Sequence, residues 1–145
     1  MDRVATPNSK RALVFLDTNV VLGYIRGDPS EAKLFAAGAA DLIHLAVNPI
    51  VLQELLLADA TELPAFEEIR GHLHVIPLDL EKIEEMMAGA RSRRYHTAHA
   101  NDMLILSSAE ACNFLVTRDE FFRNVVIPES LEVMTPEELV SRLGV

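Results

Sequence analysis

The stretch "LVFLDTNVVLGYI", residues 13–25, places an aspartate directly behind a run of apolar residues. "ALVFL", residues 12–16, reads as a buried strand, and "NVVLGYIRG" reads as a helix that stops near Gly27. Asp17, Thr18 and Asn19 fill the join. A carboxylate there has two readings. Asp17 or Asn19 can cap the helix that follows, or Asp17 can be a ligand carried on the end of a strand. Working outward, apolar runs of strand length keep alternating with helical patterns, which predicts an α/β fold with a central, mainly parallel sheet of about five strands.

The remaining strands are "LIHLAV", "LHVIPL", "NFLVT" and "LEVM". Asn48 and Pro49 supply an N-cap and a first-turn proline for the helix "IVLQELLLADA". Asp79 opens a long helix running to about Arg94, and "NDMLILSSAEAC" is an apolar helix. Thr135, Pro136 and Glu138 have the spacing of a capping box. Residues 1–10 are polar and are expected to be flexible; residues 11–145 read as one domain.

Half of the 145 residues are hydrophobic and the net charge is −9. That balance argues against a protein that coats nucleic acid by bulk electrostatics, and it favours a basic protein partner. The local exception is "RSRRYH", with Arg91, Arg93 and Arg94. It reads either as phosphate-binding cations or as a solvated helix end favoured by the helix dipole. No apolar run reaches membrane-spanning length, and the N-terminus lacks the charged-then-apolar order of a signal peptide. Cys112 is the only cysteine, which points to a reducing, cytoplasmic setting and a core position.

Four acids stand out. Asp17 and Asp119 both end strands, and parallel strands with helical crossovers bring their C-termini to one edge, where ligands bind. Glu54 has Ile50, Val51, Leu57 and Ala58 as its helical neighbours and is therefore expected to be buried, which is costly for a lone ion. Asp102 begins an apolar helix for which Asn101 can act as the cap. Converging carboxylates repel unless a cation neutralises them, and oxygen-only ligands select hard ions such as Mg²⁺ or Mn²⁺. His72 with His74, and His96 with His99, are ligand-like pairs with no soft third or fourth ligand nearby.

The segments "FLDTNV", "VLQELLLA", "NDMLILSSA" and "LVTRDEFF", in this order, resemble a PIN-domain nuclease, and the size resembles the stand-alone toxins of the VapC type. The resemblance spans about residues 12–142. It implies a three-layer α/β/α fold and a metal-dependent endonuclease cutting single-stranded RNA. It also implies a cytoplasmic toxin with a basic-tailed antitoxin partner and a homodimeric state. Asp17, Glu54, Asp102 and Asp119 match the family's catalytic, metal-holding acids, and Asn19 and Thr117 match supporting polar positions. Arg91, Arg93, Arg94 and Arg118 are the expected RNA contacts. Met103 departs from the family, which usually has alanine there. Three alternatives are a PIN nuclease in RNA processing, a non-catalytic acidic interaction module and a haloacid-dehalogenase-like phosphatase. The last wants an aspartate at Asn19 and a late lysine, whereas the last lysine here is Lys82.

Overall fold

Strand β1 (Leu13–Leu16) lies at the centre of a five-stranded sheet whose order is β3-β2-β1-β4-β5. The computed structural model describes residues 11–92, 99–125, 127 and 129–145. The other strands are β2 (His44–Val47), β3 (Leu73–Val75), β4 (Phe114–Val116) and β5 (Glu132–Met134), and every pairing is parallel. Val14, Phe15 and Leu16 are fully buried because a central parallel strand is covered on both faces. The edge strands β3 and β5 are more exposed, in keeping with His74 and Glu132 within them.

The chain first builds outward from β1 to β2 and β3, then returns to lay β4 and β5 on the other side. The reversal lies between β1 and β4, the switch point at which open α/β sheets bind ligands. Leu16 pairs with Val116 there, so Asp17 and Thr117 leave the sheet side by side. The sequence expectation that Asp17 and Asp119 would meet depended on these two strands being neighbours, and they are.

Helices α1 (Thr18–Arg26), α2 (Pro29–Ala39) and α8 (Pro136–Leu143) pack together, and α3 (Pro49–Leu57) contacts α1 and α6 (Ala100–Ala109). Helices α4 (Pro64–Arg70), α5 (Leu80–Ser92) and α7 (Phe121–Asn124) complete the three-layer arrangement. Local chemistry sets the ends. Gly27 closes α1 at φ 92°, a conformation that favours glycine. Thr135 and Glu138 form the reciprocal capping box read from the sequence. The flexible-terminus expectation for residues 1–10 lies outside the described residues. Among those described, no helix is long and apolar enough to cross a membrane.

Asn48 carries more than the N-cap expected of it. Its Oδ1 accepts from the amides of Ile50 and Val51, each at 3.1 Å, while Nδ2 donates to Leu104 O at 3.2 Å and Ser108 Oγ at 3.0 Å. A fully buried amide with donors and acceptor engaged thus ties α3 to α6, the helices bearing Glu54 and Asp102. Asn48→Ala should lower unfolding stability by roughly 2–4 kcal/mol in urea melts, because the cap and both bonds from the Asn48 amide to α6 are lost together. Asn48→Ser, which restores only the cap, should fall between the two; a loss below the scatter of the melts would contradict the cross-link.

Candidate active site

Asp17 is held by both strands of the switch point. Its backbone N–H donates to Val116 O at 3.0 Å, its Oδ1 accepts from the Thr18 amide at 2.8 Å, and its Oδ2 accepts from the Thr117 hydroxyl at 2.6 Å. Asp17 does stand at the N-cap of α1, in extended backbone, so the modest reading of this residue is correct as far as it goes. Its second oxygen serves no cap, however, and the side chain is 5 % exposed. Burial raises the carboxyl, the Thr117 and Thr18 bonds pull it back, and the nearby charges of Asp102 and Asp119 add to the rise, which leaves it at about 6.

Thr117 works in both directions. While its hydroxyl donates to Asp17, it accepts from the Asp119 amide at 2.9 Å. Asp119 in turn uses Oδ1 to accept from the Phe121 amide at 2.9 Å, fastening the carboxylate to the start of α7. Asn19 accepts from the Arg118 amide at 3.4 Å, so Asp17 and Asn19 both bind the turn at 117–119.

Glu54 reaches the same place from α3. Its Oε1 accepts from the Thr18 hydroxyl at 2.5 Å and its Oε2 from Asn101 Nδ2 at 3.3 Å. It is half-buried rather than enclosed, because the core-facing stripe of α3 is Ile50, Val51 and Leu55 while Leu57 is 78 % exposed. Of the four apolar neighbours that suggested burial, Ile50 and Val51 are in the core, while Leu57 and Ala58 line the cleft. Asp102 lies in the first turn of α6 with Oδ2 3.1 Å from His99 Nδ1. Burial raises its carboxyl, His99 opposes the shift, and the charges of Asp119 and Glu54 add to it. Asn101 does not cap α6 as expected; it is already helical, and its amide serves Glu54.

Asp17, Glu54, Asp102 and Asp119, with Thr18 and Asn19, line one open cleft of about 490 Å³. Among the described residues, no three histidine, cysteine or acidic side chains are set as a ready-made metal cage. The donor set nevertheless suits a hard cation. Every candidate ligand is a carboxylate, and Mg²⁺ commonly takes one or two of these and fills its remaining positions with water and substrate oxygens. Asp17, Glu54, Asp102 and Asp119 are the residues that could hold it.

The sequence pattern gave Thr18 no role, paired His99 with His96 and made Asn101 a cap, whereas all three bond to carboxylates of the cleft. Thr18 was legible as the residue between two site positions, and His99 by its i,i+3 spacing to Asp102. Met103 turns into the core and stays out of the cleft. Cys112 is buried as expected, and burial holds its thiol at about 12. Of the proposed RNA contacts, Arg93 and Arg94 lie outside the described residues, as does His96, and of Arg91 only the helical backbone is described. Arg118 is engaged by Glu31 and Glu137, so a phosphate would have to compete with two carboxylates for it.

The family model for the PIN domain matches residues 14–127, most of the chain. The chain belongs to the PIN domain family. PIN domains are nucleases, and the four acids of the cleft all fall within the matched span. No curated protein matches the sequence. Among solved structures, it is similar to a chain of VapBC2 from Rickettsia felis bound to a promoter DNA fragment. That likeness has a TM-score of 0.61 at 22% identity, covering 83% of this chain and 96% of that one. A toxin–antitoxin complex from Klebsiella pneumoniae gives 0.60 at 18% identity, covering 85% and 97%. FitAcB from Neisseria gonorrhoeae gives 0.55 at 22%, covering 86% and 98%. At these identities the likeness is one of fold.

The raised carboxyl of Asp17 has a sign that can be measured. Between its ordinary value of 3.8 and about 6, the folded protein holds a proton that the unfolded chain has released. Stability therefore falls as pH rises through that window and levels off above it. Asp17→Asn keeps the cap geometry but cannot ionise. In chelator at pH 7 it should be more stable than the parent, by up to about 3 kcal/mol, with the gap closing near pH 4. Melting curves at the two pH values decide it, and a variant that melts lower at both would reduce Asp17 to a helix cap.

Proposed function

We propose that the chain is a metal-dependent endoribonuclease that hydrolyses phosphodiester bonds in single-stranded RNA and acts as the toxin of a toxin–antitoxin pair. The observation that carries this reading is the meeting of four acids from four separate segments in one cleft at the sheet's switch point. Membership of a nuclease family supports it, and the fold-level likeness to proteins described as toxin–antitoxin complexes points the same way.

In this reading Asp17, Asp102 and Asp119 hold the ion, with Glu54 as the fourth acid. Mg²⁺ or Mn²⁺ would supply Lewis-acid polarisation of the phosphodiester and a bound water of lowered pKa. The protein's own part is placement. Thr117 aims one oxygen of Asp17, Thr18 and Asn101 aim the two oxygens of Glu54, and His99 orients Asp102. Cations for the RNA backbone come from the sequence cluster Arg91, Arg93 and Arg94, just ahead of α6. The acidic total suits an antitoxin with a basic tail. An apolar cleft of about 330 Å³, lined by Leu52, Leu56, Phe66 and Val75, would take such a partner's apolar side chains.

The purified chain should cut single-stranded RNA with Mg²⁺ or Mn²⁺ and stop in EDTA. Asp17→Asn should lose at least about 10²-fold in rate, since a bound ion contributes several kcal/mol to the transition state. Full activity in EDTA would remove the metal mechanism. Hydrolysis of a phosphomonoester with none of RNA would remove the ribonuclease.

A further inference from the structure

Away from the cleft, one carboxylate is wholly buried. Glu31 of α2 is 0 % exposed, and an unpaired ion in that position would be strongly unfavourable. Arg118 meets it as a fork, with Nε 2.9 Å from Oε2 and Nη2 3.0 Å from Oε1. The same guanidinium grips Glu137 of α8, through Nη1 at 3.0 Å and Nη2 at 2.6 Å. Helix α1 closes on the other side of the pair: a Cβ on Gly23 would stand 2.5 Å from Glu31 Oε2, so only glycine lets the backbone pass so near.

Arg118 occupies the centre of the turn that serves Asp17. Thr117 before it donates to Asp17, and the amide of Asp119 after it donates to Thr117. Its own amide donates to Asn19. The side chain of Arg118 is thus fixed to α2 and α8, while the backbone on either side fixes two members of the cleft. Two planar forks restrict a guanidinium far more than a single ammonium contact would be restricted.

We infer that Arg118 is a positioning residue, whose double fork with Glu31 and Glu137 anchors the 117–119 turn and so sets Thr117 and Asp119 against Asp17. Its consequence for RNA cleavage rests on the ribonuclease reading; the anchoring itself does not.

The test is the double variant Glu31→Leu with Arg118→Met, which removes the pair without stranding a buried charge, because Glu137, the other partner of Arg118, is 54 % exposed. Amide hydrogen exchange at Asp119 and Phe121, whose acceptors are Thr117 Oγ1 and Asp119 Oδ1, should speed by at least about tenfold, with Leu115 and Val116 in β4 unchanged. RNA cleavage should lose about tenfold or more in kcat with KM held within about twofold, as expected when placement and not substrate binding is lost. If the double variant does not fold, Arg118→Lys is read at the same amides; it keeps the charge beside Glu31 and loses the fork, so the same acceleration is expected. Unchanged exchange at Asp119 and Phe121 overturns the inference, whatever happens to cleavage. Accelerated exchange in a protein whose parent cuts no RNA supports the anchor and removes the ribonuclease reading instead.

Discussion

Everything about this molecule turns on keeping the carboxylate of Asp17 out of water and next to other acids. Burial and the charges of Asp102 and Asp119 all oppose ionisation, and two hydrogen bonds from Thr117 and Thr18 only partly compensate. A protein gains no stability from such an arrangement. It is tolerated because the surrounding structure over-determines it. The Asp17 amide is spliced into the hydrogen bonding of β4, and the hydroxyl of Thr117 is fixed in turn by the amide of Asp119. Unfavourable electrostatics at one point, with satisfied hydrogen bonds around it, is the pattern expected of a site shaped for a ligand rather than for stability.

The parallel sheet is what makes the arrangement possible. Because strand order reverses between β1 and β4, the residues that follow these two strands emerge together, and no loop has to be stretched to bring Asp17 near Asp119. The other two acids arrive on helices, and helices need to be held. Asn48 ties α3 to α6 from within the core, so Glu54 and Asp102 are set relative to each other by one buried amide. Arg118 ties the β4 turn to α2 and α8 from the opposite side. The cleft is thus framed by two polar anchors, the buried amide of Asn48 and the fork between Arg118 and the buried Glu31.

Much of this was legible in the sequence where local rules suffice. The capping residues Asn48 and Thr135 have chemistry that specifies a helix start regardless of context, and both stand where the pattern put them. Asp17 and Asp119 were legible from position alone, since strand ends in a parallel sheet share an edge. What escaped needed distant partners. Nothing in "PSEAKLF" distinguishes Glu31 from a solvated helix residue; its burial depends on Arg118, far along the chain, and on Gly23 giving it room. The burial expected of Glu54 did not follow, because apolar neighbours on a helix imply burial only if something covers them, and Leu57 is uncovered. Asn101 resembled a cap because caps and site residues draw on the same polar side chains.

The central claim is that the four acids form a cation site. Crystals of the protein equilibrated with Mn²⁺ and measured for anomalous scattering put that question to the atoms directly. The prediction is a peak in the cleft, within about 2.1 Å of an oxygen of Asp17, Asp102 or Asp119, or one water removed from it. No peak in the cleft at saturating Mn²⁺, or a peak only elsewhere on the surface, would contradict the claim that these carboxylates are gathered to hold a metal.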